Sequence, residues 1–349
     1  MARILDPEAF LKEAASLPVI DVRSPGEFSQ GHIPGALNIP LFDDAERAIV
    51  GTLYNRSGRE TAIQKGIEIA TARIPEYLTS LKTVTRDTRI LVHCWRGGMR
   101  SEHMAALFEQ EGYEAGLLTG GYKAYRRHIR EALDKAATII VLGGYTGSGK
   151  TGLLRWIEQL GCQVIDLEEL ACHKGSAFGA LGQPPQPTNE QFENELYLRW
   201  NRLDKSKPIW LEDESRMIGK VTLPGPLFNK IANGILLRIE VPVSCRVNQL
   251  VAEYAVFDKT LLSEAVGKIS ERLGIPRTRE ALQAIEDGEF AKVAELVLNY
   301  YDKAYDFTIR RRPGKTSYLF RLDSEPNKDT ARMLVKCIEE QLHHGTDLS

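Results

Sequence analysis

The sequence of 349 residues has no surplus of charge: 45 Lys and Arg stand against 47 Asp and Glu, a formal net charge of −2. A global basic field that would draw polyanions is therefore excluded, and any nucleic acid must be held by local patches. The chain also lacks any run close to the ~18 apolar residues that a membrane span needs. Its start, Met1 to Pro18, carries acids where a secretory leader has a basic and then an apolar stretch, so the expected location is the cytoplasm, with no membrane partner. Cysteine is sparse and irregular: Cys94, Cys162, Cys172, Cys245 and Cys337 are odd in number, widely spaced and form no CxxC pair. That argues against a disulfide framework or a structural zinc site, and leaves one reactive thiol among bystanders as the expectation.

The rest is ordinary globular material, 43% hydrophobic and 26% charged, enough for two cores at a length that suggests two domains. Apolar runs alternate with helical patterns in both halves, which is an α/β signature. Pro18–Arg23, Ala36–Pro40, Arg89–Cys94 and Ala115–Gly121 read as short buried strands, with helices over Glu60–Ala70, Ser101–Glu111 and Gly121–Ala137. A new strand, TIIVLGG, starts at Thr138, so the expected domains are 1–137 and 138–349. In the second, Gln163–Leu167, Pro208–Asp213 and Leu236–Val243 read as parallel strands. Phe192, Leu196, Trp200 and Leu203 read as the core stripe of a helix. A C-terminal helical extension includes a helix over Lys328–Leu342 that would bury Cys337 beside Leu334 and Ile338.

Two loops carry chemistry. In His93-Cys94-Trp95-Arg96-Gly97-Gly98-Met99-Arg100-Ser101 an apolar strand gives way to a helix. A cysteine there faces backbone N–H groups and a helix N-terminus, which with two arginines stabilise a thiolate and cradle an oxyanion. Cys94 is the candidate nucleophile, with Arg96, Gly97, Gly98 and Arg100 around it. Gly144-Tyr145-Thr146-Gly147-Ser148-Gly149-Lys150-Thr151 satisfies G-x-x-x-x-G-K-[ST] between a strand and a helix. Gly144, Thr146, Gly147, Ser148 and Gly149 would wrap phosphate, Lys150 would add charge, and Thr151 could reach Mg²⁺. The acidic partner is Glu212 or Asp213 at the end of IWLED, and Thr151 with Asp213 is the candidate Mg²⁺ pair. Any diphosphate, not only a nucleotide, would fit such a loop.

Val19–Pro40 (VIDVRSPGEFSQGHIPGALNIP) followed by the cysteine loop resembles the rhodanese domain over roughly residues 5–135, with an insert around residues 42–87. That resemblance implies a chalcogen carried on Cys94 as a persulfide or selenenyl-sulfide, with Asp21 and Arg23 bracing the loop. Five residues separate Cys94 from Arg100, one more than usual in rhodaneses, and Cys-x5-Arg is also a phosphatase pattern, although no general-acid Asp is evident. The longer loop suits a tetrahedral phosphate, so a phosphate-bearing donor such as selenophosphate is expected, held by Arg96 and Arg100.

Together with His173–Gly179, Gln183–Asn194 and Trp210–Gly219, the two loops make the whole chain resemble the tRNA 2-selenouridine synthases. The implied fold is α/β, an N-terminal rhodanese-like domain followed by a P-loop NTPase-like parallel-sheet domain. The implied activity replaces sulfur by selenium in wobble 2-thiouridine of tRNA. The sulfur is first geranylated from geranyl diphosphate, and the geranylthio group is then displaced by selenium from selenophosphate. No tightly bound cofactor is expected, Mg²⁺ is a candidate, and an enzyme that makes selenophosphate is a candidate partner. Candidate tRNA or substrate contacts are His173, Lys174, Arg126, Arg127, Arg130, Arg310, Arg311 and Arg312, with Lys315. An ATP- or GTP-dependent kinase or sulfurtransferase with Cys94 relaying sulfur is the alternative, and a nucleotide-regulated binding protein a third.

Overall fold

The structure is a computed structural model that describes residues 2–310 and 317–346. It divides into two units: residues 1–133 with 193–198, and residues 134–192 with 199–349. Sequence reading put the division after residue 137 and gave residues 193–198 to the second domain. The six-residue middle of the helix Asn189–Asn201 instead clusters with the first unit, a placement that no local pattern encodes.

In the first unit β1 (Arg3–Leu5), β2 (Val19–Asp21), β3 (Leu37–Asn38), β4 (Arg89–His93) and β5 (Glu114–Leu118) form a parallel sheet in the order β1-β5-β4-β2-β3. The apolar runs of β2 and β4 are continuous because both faces of the sheet are covered. Successive side chains point to opposite faces. Ile90 and Val92 accordingly join a core with Met104, Phe108, Tyr77 and Leu81. Leu91 joins another with Phe10, Leu118, Tyr122 and Tyr125. The insert forms three helices, Asp44–Ser57, Arg59–Ala72 and Ile74–Val84, tied to the sheet side by the Tyr77 hydroxyl donating to the Leu41 carbonyl at 2.7 Å.

In the second unit β6 (Ile139–Gly144), β7 (Gln163–Ile165), β8 (Ile209–Glu212), β11 (Ile235–Glu240) and β12 (Ser317–Arg321) form a parallel sheet in the order β12-β11-β6-β8-β7. The short strands β9 (Met217–Ile218) and β10 (Val221–Thr222) make a separate hairpin. β6 is buried along its whole length. Its Ile140 and Leu142 pack with Leu153 and Ile157 of the helix Lys150–Gln159 and with Leu334 and Ile338 of the helix Lys328–Thr346.

Two expectations change. Cys337 is only half-buried, because Leu334 and Ile338 form the inward stripe and Cys337 lies beside it. The helical part does not simply trail the sheet. Val243–Tyr254, Lys259–Lys268, Ile275–Asp287 and Phe290–Arg310 lie between β11 and β12, and around Val266, Ala281, Ile285 and Val297 they share a core of their own.

Candidate active site: a thiol loop and a phosphate loop

The thiol loop leaves the C-terminal end of β4, where ligands gather in open parallel sheets. Cys94 is buried. Gly97 has φ +64°, and a Cβ there would stand 2.4 Å from the Leu118 carbonyl oxygen, so only glycine lets the loop press so closely on the turn after β5. The turn answers in kind: Tyr122 and Lys123 donate their N–H groups to the carbonyls of Cys94 and Trp95 at 2.9 and 3.0 Å. The Ser101 hydroxyl lies 3.2 Å from Cys94 Sγ and 3.0 Å from the Gly98 carbonyl. Burial by itself would raise the thiol, but the Ser101 hydroxyl, the loop backbone at Gly98 and the Arg100 charge outweigh it, and Cys94 is held below its ordinary value.

Asp21 and Arg23 brace the unit beneath this loop. Both are fully buried, joined through Arg23 Nη2 and Asp21 Oδ2 at 2.6 Å, and the guanidinium lies 3.8 Å from the Tyr122 ring centroid. Arg100 is half-buried and bonds Glu27 through Nη1 at 2.7 Å, whereas Arg96 is exposed. Glu27 also closes the capping box of the helix Pro25–Gln30, and its carboxyl is kept low because Arg100 and the Ser24 N–H overcome its burial. Sequence reading missed Glu27 and gave Ser101 no role. Ser101 could have been found from its place directly after Arg100; nothing local marks Glu27.

The phosphate loop joins β6 to the helix Lys150–Gln159 through two left-handed glycines, Gly147 at φ +77° and Gly149 at φ +76°. Lys150 Nζ donates to the Gly144 carbonyl at 3.1 Å, curled over the loop it would release for phosphate. Ser148 lies within the turn of the loop. Its side chain is buried, with Oγ against Gly144, and its N–H closes a turn on the Tyr145 carbonyl at 3.2 Å, so it shapes the loop.

The acidic partner of Thr151 is Glu212, not Asp213. Thr151 Oγ1 stands 2.9 Å from Glu212 Oε1 and 3.3 Å from Glu168 Oε2. Asp213 points elsewhere because side chains alternate at the strand end, and it accepts from the Tyr305 hydroxyl at 3.2 Å. Glu168, Glu212 and Glu214 bring carboxylate oxygens within 4.8 Å of one another. Burial and mutual repulsion push Glu168 up to about 10 and Glu214 to about 8, and burial raises Glu212 against the pull of Lys150. Such crowded carboxyl oxygens, which a divalent cation could hold ionised, suit with the Thr151 hydroxyl a hard cation, so the donor set fits Mg²⁺ with Glu212 in place of Asp213.

The expected polyanion contacts sort themselves by burial. Arg126 is buried and bonded to Glu193 and Asn194, which removes it from the surface. His173 is buried, and burial beside Lys268 holds it below its ordinary value; Lys174 is paired with Glu253. Arg127, Arg130 and Arg310 are exposed. Arg311, Arg312 and Lys315 lie outside the described residues.

A parallel sheet that aims a braced, ionisable cysteine into a glycine-arginine loop, followed in the same chain by a P-loop sheet, defines a rhodanese-like and P-loop two-unit protein. A family model described as "tRNA 2-selenouridine synthase AAA domain" matches residues 137–335, and one described as "Rhodanese-like domain" matches residues 6–128. The chain is similar to proteins named tRNA 2-selenouridine synthase. That of Nitrosomonas europaea is 32% identical over 85% of this chain and 90% of the relative. That of Bdellovibrio bacteriovorus is 38% identical over 76% and 69%. That of Cronobacter sakazakii is 34% identical over 86% and 89%. The chain belongs to the tRNA 2-selenouridine synthase family.

Proposed function

We propose that this enzyme replaces the sulfur of wobble 2-thiouridine in tRNA with selenium in two steps, one at each loop. At the phosphate loop the thiouridine sulfur attacks the first carbon of geranyl diphosphate: an S–C bond forms, the C–O bond breaks and diphosphate departs. Alkylation turns the sulfur into a better leaving group. Selenium from selenophosphate, handled at the Cys94 loop, then displaces geranylthiol. Lys150 and the loop N–H groups receive the departing diphosphate. Glu168, Glu212 and Thr151 would hold Mg²⁺, which would offset diphosphate charge.

The observation that carries this reading is an apolar cleft beside the phosphate loop. Its lining includes Thr146 of the loop together with Phe178, Leu250, Tyr254, Ala294 and Val297. A phosphate cradle that opens onto hydrocarbon suits a ligand with a diphosphate head and an apolar tail. The cleft measures about 50 Å³, less than a geranyl chain, so the half-buried Leu250 and Tyr254 must move aside to admit it. Exposed Arg127, Arg130 and Arg310 are the candidate tRNA phosphate contacts, and binding through them should weaken steeply with salt.

The test is mass spectrometry of nucleosides from thiolated tRNA incubated with this protein and geranyl diphosphate, with and without selenophosphate. Geranylated uridine without the selenium donor, and selenated uridine with it, are expected. Neither product, or hydrolysis of ATP or GTP in the absence of tRNA, would reject the reading.

A further inference from the structure

We propose that Arg246 sets which way the phosphate loop faces: its guanidinium holds the Thr146 carbonyl turned outward, which keeps the Gly147 N–H turned into the cradle for diphosphate. Arg246 is thus a positioning residue for the geranyl-transfer step, and the inference rests on geranyl diphosphate being held at this loop.

The turn itself leaves the choice open. The Ser148 N–H donates to the Tyr145 carbonyl at 3.2 Å, which puts Thr146 and Gly147 in the middle of a four-residue turn. Gly147 has φ +77° whereas Thr146 before it has no positive φ, and that combination marks the turn whose central peptide is turned over. Carbonyl and N–H lie on opposite sides of a trans peptide, so the direction of the Thr146 carbonyl decides that of the Gly147 N–H. Glycine takes positive and negative φ about equally, and nothing in its own chemistry prevents the peptide from turning back. Turned back, the loop would aim a carbonyl oxygen at an anion where a donor is needed.

Arg246 removes that freedom. It is buried on the helix Val243–Tyr254, and its Nε donates to the Thr146 carbonyl at 2.9 Å. Its Nη1 and Nη2 donate to the two carboxylate oxygens of Asp302 at 3.0 and 2.5 Å, a paired grip that fixes the plane of the guanidinium. The Tyr145 ring centroid lies 5.0 Å from the guanidinium carbon. The helix Phe290–Arg310, which carries Asp302, also secures the start of the loop: the Tyr305 hydroxyl accepts the Gly144 N–H at 2.9 Å, and Asp306 accepts from the Tyr145 hydroxyl at 2.7 Å. The Gly144 N–H is thereby taken up, whereas the Gly147 N–H has no acceptor among the described residues. Ala294 and Val297 of the same helix line the apolar cleft, so one helix meets the tail of the ligand and holds the loop that meets its head. A donor so placed matters most as the C–O bond breaks and charge grows on the departing diphosphate, which puts the effect on kcat.

The full-length double variant Arg246→Met with Asp302→Leu removes both ions together, so neither is left without its partner. Its geranylation of thiolated tRNA, read by nucleoside mass spectrometry, is expected to fall about tenfold or more in kcat. Dissociation constants are measured by calorimetry with Mg²⁺ for inorganic diphosphate and for geranyl S-thiolodiphosphate, an analogue that keeps the tail. Their ratio should stay at the wild-type value, because the cleft is untouched. A role in packing alone would disturb the cleft and shift that ratio. A shifted ratio, or geranylation at the wild-type rate, overturns the proposal. Should the double variant not fold, Asp302→Asn decides by the same two measurements, since its side chain is 29% exposed and tolerates the change. A lower kcat at constant ratio supports the proposal, and an unchanged kcat overturns it. Failure of the underlying reading shows differently, as wild-type protein that makes no geranylated uridine and binds neither diphosphate.

Discussion

The two loops are built alike, strand, glycine turn, helix, yet their charges are balanced in opposite ways. Around Cys94 each buried or half-buried ion has a partner: Asp21 with Arg23, Glu27 with Arg100. Around Lys150 three carboxylates crowd together, and Lys150 itself reaches loop carbonyls. At the first loop the Ser101 hydroxyl, the Gly98 backbone and the Arg100 charge hold a single thiol below its ordinary value. Crowded carboxyls that hold protons in place of a partner leave the second loop dependent on what binds there. The largest test of this contrast is separation of function. Lys150→Ala should cut geranylation by about a hundredfold or more while leaving conversion of geranylated tRNA to selenouridine intact. Cys94→Ser should accumulate geranylated tRNA and make no selenouridine. Equal loss of both steps in both variants, read by nucleoside mass spectrometry, would erase the distinction.

A smaller effect is expected in stability. Glu168 and Glu214 have folded-state values raised to about 10 and about 8, above the ordinary carboxylate range. The folded chain therefore binds more protons than the unfolded one, and stability is lost as pH rises from the ordinary carboxylate range through about 8 for Glu214 and on through about 10 for Glu168. Thermal midpoints without divalent cation should fall over that window, and Mg²⁺ should flatten the slope by replacing the missing protons. Glu212→Gln should raise the metal-free midpoint near pH 8 and abolish most of the Mg²⁺ increment. A midpoint indifferent to both pH and Mg²⁺ would mean that the three carboxylates are not a cation site.

Much of this site was legible because its signals are local. β4 and β6 announce themselves as apolar runs ending in glycine loops, and the cysteine and lysine stand at the first turn of the chain beyond them. What escaped depends on distant pairing. Arg126 sits on a helix with Arg127 and Arg130 and looks like part of a basic patch, but Glu193 and Asn194 bury it from far along the sequence. Glu27 meets Arg100 across 73 residues. Glu168 was passed over although it follows the apolar strand β7 much as Glu212 ends β8, so the same strand-end logic applied to both would have paired them. β12 escaped for another reason: its side chains are only partly covered, and an edge strand of that kind lacks the continuous apolar run of its neighbours.

The finest test concerns one hydroxyl at the matched loop. Burial works against ionisation of Cys94, and the Ser101 hydroxyl is the first of the groups that reverse it. Removing that group in Ser101→Ala should move the alkylation profile of Cys94 by iodoacetamide to higher pH, with a rate near neutrality roughly three- to tenfold lower. Ser101→Thr keeps the hydroxyl and should restore the profile. A purely structural role would predict something else, a lower melting temperature with the alkylation midpoint unmoved. Because Ser101 also bonds the Gly98 carbonyl at 3.0 Å, the loop conformation and the thiolate share one donor. The midpoint shift, unlike a loss of activity, separates those two duties.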